Sequence, residues 1–198
     1  MKKRIIHIIG VDEAGRGPLA GPVAVGVALV PVDFDWARIP GVGDSKKVKA
    51  ENREAIFRLA TRLRKAGVLN FATALIPAST IDTIGITHAV QKGIVKCLTT
   101  LDASPETTMV LLDGLLHASS EYIHQETIIK GDAKEKVIGL ASICAKVTRD
   151  AYMVRVARKH PKYLFDIHKG YGTKKHIEAI LAHGLSPIHR RSFTKRFR

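Results

Sequence analysis

The sequence predicts an α/β fold, a mixed central β-sheet flanked by helices. Three observations carry that expectation. Apolar, β-branched runs at residues 5–11, 22–30 and 68–75 come early, and shorter ones at 108–112 and 127–130 are interleaved with segments of helical period. Hydrophobic residues make up 45% of the 198 positions, enough for a sizeable core in one domain. Charged residues make up 25%, too few beside that apolar share for the chain to be disordered throughout.

The elements follow in order. Residues 5–11 read as a buried strand that ends at Asp12-Glu13. The basic and apolar start superficially resembles a secretory leader. Its apolar stretch is short, holds His7 and runs straight into two acids, so a first strand is the better reading. Residues 22–30 form a second strand, joined to the first by a glycine-rich turn that suits a hairpin. Residues 40–47 are a loop, with Asp44 or Ser45 as a cap for a helix over 49–65. Ile56, Leu59 and Leu63 share one face of that helix and Gly67 ends it.

A third strand covers 68–75, and a helix weakened by Gly93 covers 86–101. The strand at 108–112 ends at Asp113-Gly114 and the one at 127–130 ends at Gly131-Asp132. A long helix over 137–159 should bury Leu140, Ile143, Val147, Ala151 and Val154, and a last helix spans 173–182 before Gly184. One domain over 1–198 is expected, with a short basic tail over about 186–198 that carries Arg190, Arg191, Lys195, Arg196 and Arg198 and no acid. Phe34 and Trp36, in an early loop, read as packing residues.

The charge balance is lopsided: 32 Lys+Arg against 18 Asp+Glu gives +14. A compact domain with that excess repels itself unless it meets a polyanion, nucleic acid before an anionic membrane. No run approaches the ~18 apolar residues of a membrane span. Cys97 and Cys144, the two cysteines, fall on apolar helical stripes and form no CxxC pair, which excludes a zinc ribbon or disulfide framework and fits a cytoplasmic protein. No coiled coil is visible, so a monomer is the default.

Three strand-like runs each stop at an acid: Asp12 with Glu13, Asp113, and Asp132. In open α/β sheets, sites form beyond the carboxyl ends of strands. Carboxylates gathered there repel, and divalent cations relieve the repulsion. Hard oxygen donors select Mg²⁺ or Mn²⁺, and two such ions about 4 Å apart can activate water and stabilise a leaving phosphodiester oxygen. Taken singly, Asp-Gly and Gly-Asp are also ordinary turn dipeptides. Asp12 and Glu13 pose a further difficulty, because adjacent residues on a regular strand point to opposite faces. Both reach one site only if the strand bends or ends there.

Gly15-Arg16-Gly17-Pro18 is neither a Walker loop nor a dinucleotide fingerprint, since the required Lys-Ser/Thr and glycine spacings are missing. Glycine here permits either close approach of backbone to a substrate, with Arg16 as a phosphate fork, or merely a tight hairpin.

Seven segments, in order, resemble the ribonuclease HII family: GVDEAGRGPLAGPV at 10–23, DSKK at 44–47, LLDG at 111–114, KGDAK at 130–134, ASICAKVTRD at 141–150, HKGYGTKKH at 168–176 and HRRSF at 189–193. The resemblance covers essentially the whole chain. It implies a ribonuclease H-like fold and a catalytic, metal-binding set of Asp12, Glu13, Asp113 and Asp132, holding Mg²⁺ or Mn²⁺, two per site. It further implies that Gly15, Arg16 and Gly17 read the ribose 2′-hydroxyl at an RNA-to-DNA junction, that Tyr171 packs on the following deoxyribose, and that Ser45 and Lys46 contact phosphate. The implied partners are RNA–DNA hybrid and DNA duplex containing ribonucleotides, with cleavage 5′ of the ribonucleotide.

The related HIII type has GKG where this chain has Gly15-Arg16-Gly17, and carries an extra N-terminal domain. Many relatives continue into a further C-terminal helix, whose duplex contacts the basic tail would have to replace. No sliding-clamp motif is visible. Another nuclease on the same fold, HIII-type or junction-resolving, and a non-catalytic basic module are the competing functions. Among the remaining polar residues, Asp150 reads as a helical ion-pair partner, His168 and His189 as hydrogen-bonded rather than catalytic, and Lys169, Lys174 and Lys175 as a phosphate-facing surface.

Overall fold

The computed structural model describes residues 3–43 and 48–197. In chain order the main elements are β1 (His7–Ala14), β2 (Val23–Pro31), α1 (Ala50–Lys65), β3 (Asn70–Ile76), α2 (Ala78–Leu101), β4 (Thr108–Asp113), β5 (Gln125–Ile128), α3 (Gly131–Lys134), α4 (Lys136–Ala157), α5 (Phe165–His168) and α6 (Lys174–His183). The strands form one sheet in the order β3-β2-β1-β4-β5. β1, β2 and β3 pair antiparallel, while β4 runs parallel to β1 and β5 parallel to β4. The expected hairpin and the mixed sheet are both present.

The pleat sorts the core into two layers. Ile9, Val11, Val23, Val25 and Val27 face α2 and bury Ile81, Val90 and Ile94 against them. Ala28 and Val30 face the opposite side, against α1 and α4. Gly10 and Gly26 admit α4 to that side. A Cβ on Gly10 would lie 2.3 Å from the Val137 backbone, and one on Gly26 2.1 Å from the Ala141 carbonyl. The close approach sets α4 across β1 and β2, and so fixes what stands beside the end of β1.

Several sequence expectations shift. α2 begins at Ala78, eight residues before the predicted start. Gly85, with φ +79°, kinks it but does not end it. α4 buries Leu140 and Ile143 as expected, yet Ala151 and Val154 are exposed. The buried face of its second half runs through Arg149, Met153, Val156 and Ala157. That half leaves the sheet and packs on a third cluster with Tyr163 and Phe165. Cys97 and Cys144 are buried and unpaired. Phe34 and Trp36 pack edge-to-face at 4.9 Å over the α1–α4 layer. No helix among the described residues is long and apolar enough to cross a membrane.

Candidate active site

The register of β1 with β4 runs to Val11↔Leu112, so Asp12 and Asp113 follow as neighbours at the carboxyl ends of two parallel strands. Neighbouring strands stand ~4.8 Å apart. This is also where the sheet's winding reverses, the usual place for a site in such a sheet. β1 does not stop at Asp12. It stays paired with β2 through Asp12↔Gly26 and Glu13↔Val25, so the alternation of a regular strand holds. Asp12 therefore shares the α4 side with Gly10, where the Ser142 hydroxyl bonds it. Glu13 falls on the other side, where it lines a groove of about 500 Å³ with Arg16, Thr87, Gln91 and Asp113. Arg16 stands 3.4 Å from its carboxylate.

Asp132 was expected at the end of a strand. β5 instead stops at Ile128, and Asp132 lies on the single helical turn of α3, 6% exposed. The turn is tied to the site by one bond: the Gly131 N–H donates to Asp113 Oδ1 at 2.7 Å. Gly131 is closely packed: a Cβ there would sit 2.6 Å from the tip of Ile138 and 3.4 Å from Asp113 Oδ1.

Asp12 shows what this crowding does. Burial pushes its carboxyl up to about 8, the neighbouring charges of Glu13 and Asp113 push the same way, and the Ser142 hydroxyl and the Glu13 N–H oppose them. A carboxyl so placed releases its proton readily only when positive charge arrives. All the donors are hard oxygens, which suits Mg²⁺ or Mn²⁺ and not zinc. Asp12 and Asp113 are close enough to feel each other's charge, the Gly131 N–H ties the turn carrying Asp132 to Asp113, and Glu13 lies across the pleat. Among the described residues, no group of three or more Asp, Glu, His or Cys side chains closes into a ready-made cage. The donor set fits a divalent ion in its chemistry, hard oxygen throughout.

The loop after β1 is held from beneath by two buried arginines that sequence reading passed over. Arg190 Nη2 donates to the Gly15 carbonyl at 2.7 Å, Nη1 to the Arg16 carbonyl at 2.8 Å and Nε to the Gly21 carbonyl at 3.0 Å. Arg149 Nε donates to the Pro22 carbonyl at 2.9 Å and Nη2 to the Ala20 carbonyl at 3.3 Å, while its Nη1 has no partner among the described residues. Both side chains are fully buried. Burial drives the Arg190 guanidinium down to about 9, with the Arg149 charge adding to the effect, and burial lowers Arg149 as well. The basic tail is thus partly interior, because Arg190 is spent on carbonyls. One signal was available: Arg149 sits on a stripe of small or apolar residues, Ala145, Met153 and Val156, at helical spacing.

The loop's glycines separate by role. Gly15 has φ +84°, and a Cβ there would lie 1.9 Å from Arg149 Nε. Gly17 is exposed and has no left-handed backbone, and a methyl group added to it would meet nothing within 4 Å. Among the described residues, the main-chain N–H groups of Arg16 and Gly17 have no acceptor. The carbonyls are taken up inside, and these donors remain at the surface.

Tyr171 stands beside this loop and is 43% exposed. The Leu19 N–H donates to the carbonyl of Gly170 at 2.8 Å, and the Arg149 guanidinium lies 5.8 Å from the Tyr171 ring centre. Asp150 pairs with Lys146 at 2.9 Å, as a helical ion pair should. His168 and His189 are buried and hydrogen-bonded. Ser45 and Lys46, and the cap proposed at Asp44 or Ser45, lie outside the described residues.

Comparison with known proteins agrees across nearly the whole chain. A family model described as Ribonuclease HII matches residues 9–196. A ribonuclease HII of Endomicrobium trichonymphae is 42% identical over 192 residues, covering 97% of this chain and 87% of that protein. One from Halalkalibacterium halodurans is 40% identical over 187 residues, covering 94% of this chain and 67% of that protein. Among solved structures, ribonuclease H2 from Pyrococcus horikoshii superposes with a TM-score of 0.72 at 25% identity, covering 98% of this chain and 99% of that one. The sheet and helices are accordingly those of a ribonuclease H-like fold.

Proposed function

Because the chain belongs to the ribonuclease HII family and is a ribonuclease H endonuclease, we propose that it cuts the RNA strand of RNA–DNA hybrids and the 5′ side of single ribonucleotides embedded in duplex DNA. The products would carry 5′-phosphate and 3′-hydroxyl ends. One observation carries the reading: the acid edge and the surface N–H groups of Arg16 and Gly17 belong to the same few residues of chain. Asp12 and Gly15 are three residues apart, so at most ~11 Å of backbone separates the carboxylates from the loop. A phosphate held at the acids has its sugar within the loop's reach.

Asp12, Glu13, Asp113 and Asp132 would hold Mg²⁺ or Mn²⁺, two ions per site. Such ions, when bound, supply an activated water and neutralise charge on the leaving oxygen. The chain's own residues do the rest. Ser142 and the Glu13 N–H orient the Asp12 carboxylate, and the Gly131 N–H orients that of Asp113. Glu13 enters from the α2 side with Arg16 beside it. Gly15, Arg16 and Gly17 would read the 2′-hydroxyl, a group that both donates and accepts and that alone separates RNA from DNA at one position. Tyr171 would pack on the deoxyribose that follows, and Ser45 and Lys46 would contact phosphate.

The decisive experiment offers a DNA duplex with one embedded ribonucleotide, in Mg²⁺ or Mn²⁺, and maps the cut. Cleavage on the 5′ side of the ribonucleotide is expected. Cutting of long hybrids alone would remove the junction-reading role from the loop and Tyr171, and indifference to divalent ions would remove the metal site.

A further inference from the structure

Behind Tyr171 lies a cluster of histidines that the cleavage chemistry does not use. His176 and His189 are 0% and 2% exposed, and their Nε2 atoms are 3.0 Å apart. The Ser186 main-chain N–H and hydroxyl each lie 2.8 Å from His189 Nδ1, and the Tyr171 carbonyl 2.8 Å from His176 Nδ1. The two ends of this chain are chemically fixed, because a peptide N–H can only donate and a carbonyl can only accept. His189 Nδ1 must therefore be bare and its proton must sit on Nε2. That proton points at His176 Nε2, which must be bare in turn. The His176 proton then sits on Nδ1 and is donated to Tyr171.

One tautomer of each ring satisfies every bond, and only when both are neutral. A second proton on His176 would set two donors against each other at 3.0 Å, and one on His189 Nδ1, though the Ser186 hydroxyl could turn to accept it, would leave the buried Ser186 N–H without its acceptor. Burial lowers both imidazoles to about 4, with neighbouring histidine charge adding to the effect.

A third ring braces the same turn. His168 stacks on His176 with centroids 4.3 Å apart, donates from Nε2 to the Tyr163 carbonyl, and accepts the Gly170 N–H on Nδ1 at 3.1 Å. On the other side, His189 is followed by Arg190, whose fork holds the Gly15 and Arg16 carbonyls. Residue 189 also bridges to Ala20 in antiparallel fashion. One dipeptide thus anchors the glycine loop through its second residue and the Tyr171 backbone through its first.

We propose that His189 and His176 are positioning residues, a one-directional hydrogen-bond chain that fixes the Tyr171 carbonyl and so sets the distance of its ring from the Gly15–Arg16–Gly17 loop. The proposal rests on the junction-reading role given to Tyr171 above. It assigns ribonucleotide selectivity partly to two buried rings that never touch the nucleic acid.

Two measurements test it. Long-range proton–nitrogen NMR of the ¹⁵N-labelled full chain near neutral pH should show His189 and His168 protonated on Nε2, His176 on Nδ1, and none of the three doubly protonated. His176 found protonated on Nε2, or any of these rings as an imidazolium, overturns the ordered chain. This reads the wild-type protein and needs no variant to fold. The second measurement is cleavage at an embedded ribonucleotide. His189→Gln keeps an amide donor toward His176 and should retain kcat/KM within about threefold, while His189→Leu should lose about tenfold or more.

In a Tyr171→Ala background the His189→Leu loss should largely vanish, because residues acting through one another do not add. A Tyr171→Ala defect to which His189→Leu adds in full overturns the positioning role alone. Tyr171→Ala cutting like wild type sinks the reading of Tyr171, and the positioning role with it.

Discussion

Two glycines two residues apart should respond in opposite ways to the same methyl group. At Gly15, alanine meets two costs. A left-handed backbone at φ +84° costs a residue with a Cβ roughly 1–2 kcal/mol. The added carbon would also lie 1.9 Å from Arg149 Nε, 2.4 Å from Cδ and 2.7 Å from Cζ, so the guanidinium must leave its 2.9 Å bond to the Pro22 carbonyl. Losing a buried bond from a charged donor costs a further ~1.5–3 kcal/mol. Gly15→Ala should therefore destabilise the protein by about 3–5 kcal/mol, which at this size lowers Tm by roughly 6–20 °C. At Gly17 neither cost exists. Gly17→Ala should unfold within about 0.5 kcal/mol of wild type. Its methyl stands where a sugar would approach the loop, so cleavage at a ribonucleotide junction should fall by about tenfold or more. Urea and thermal unfolding followed by circular dichroism, with junction cleavage on the same samples, separate the two. Gly15→Ala melting with wild type would refute the packing account. Gly17→Ala cutting like wild type would refute the substrate contact.

Other perturbations probe the remaining parts of the site. Asp113→Asn keeps an oxygen for the Gly131 N–H while removing a charge that Asp12 feels. Cleavage should drop by ~10²-fold or more as the ion site is damaged, duplex binding should survive in a filter or anisotropy assay, and cleavage at the wild-type rate would exclude Asp113 from the site. Arg190→Met leaves three loop carbonyls without donors and should cost about 2–4 kcal/mol in urea unfolding. Arg190→Lys should not rescue it, since an ammonium cannot reproduce the planar fork; full rescue would mean that charge alone matters. His176 and His189 are held near 4 when folded, against about 6.5 unfolded, chiefly by burial, with the charge of His168 acting on both and those of His176 and His160 on His189. The unfolded chain thus takes up protons first as pH falls. Their contribution is fully present above about pH 6.5 and should be lost progressively toward about pH 4. Thermal melts across that range should decline, and less so in His189→Gln; an identical decline would assign it to other groups.

What the sequence made legible was what local pattern encodes. Apolar, β-branched runs marked the strands, and the acids at their ends placed Asp12 and Asp113 at the end of β1 and β4. Helical stripes marked α1, the body of α2 and the two buried cysteines. The errors came where a local signal had two readings. The helix read as starting at 86 begins at Ala78 and runs on through a kink at Gly85, and Gly131-Asp132 looked like a strand end and is a helical turn. The stripe on α4 was continued past the point where the helix changes neighbours.

Tertiary structure alone decided which charges face outward. Arg190 belongs by composition to a basic tail and lies 174 residues from one of the carbonyls it holds. Nothing within a few residues of it announces that role. Whether a guanidinium is a surface phosphate contact or a buried clamp depends on which distant carbonyls are left unpaired once the chain closes. The same holds for His189 and His176. Their ring protons are ordered by a peptide N–H at one end and a carbonyl at the other, groups that nearly every residue has and that only folding brings within 3 Å.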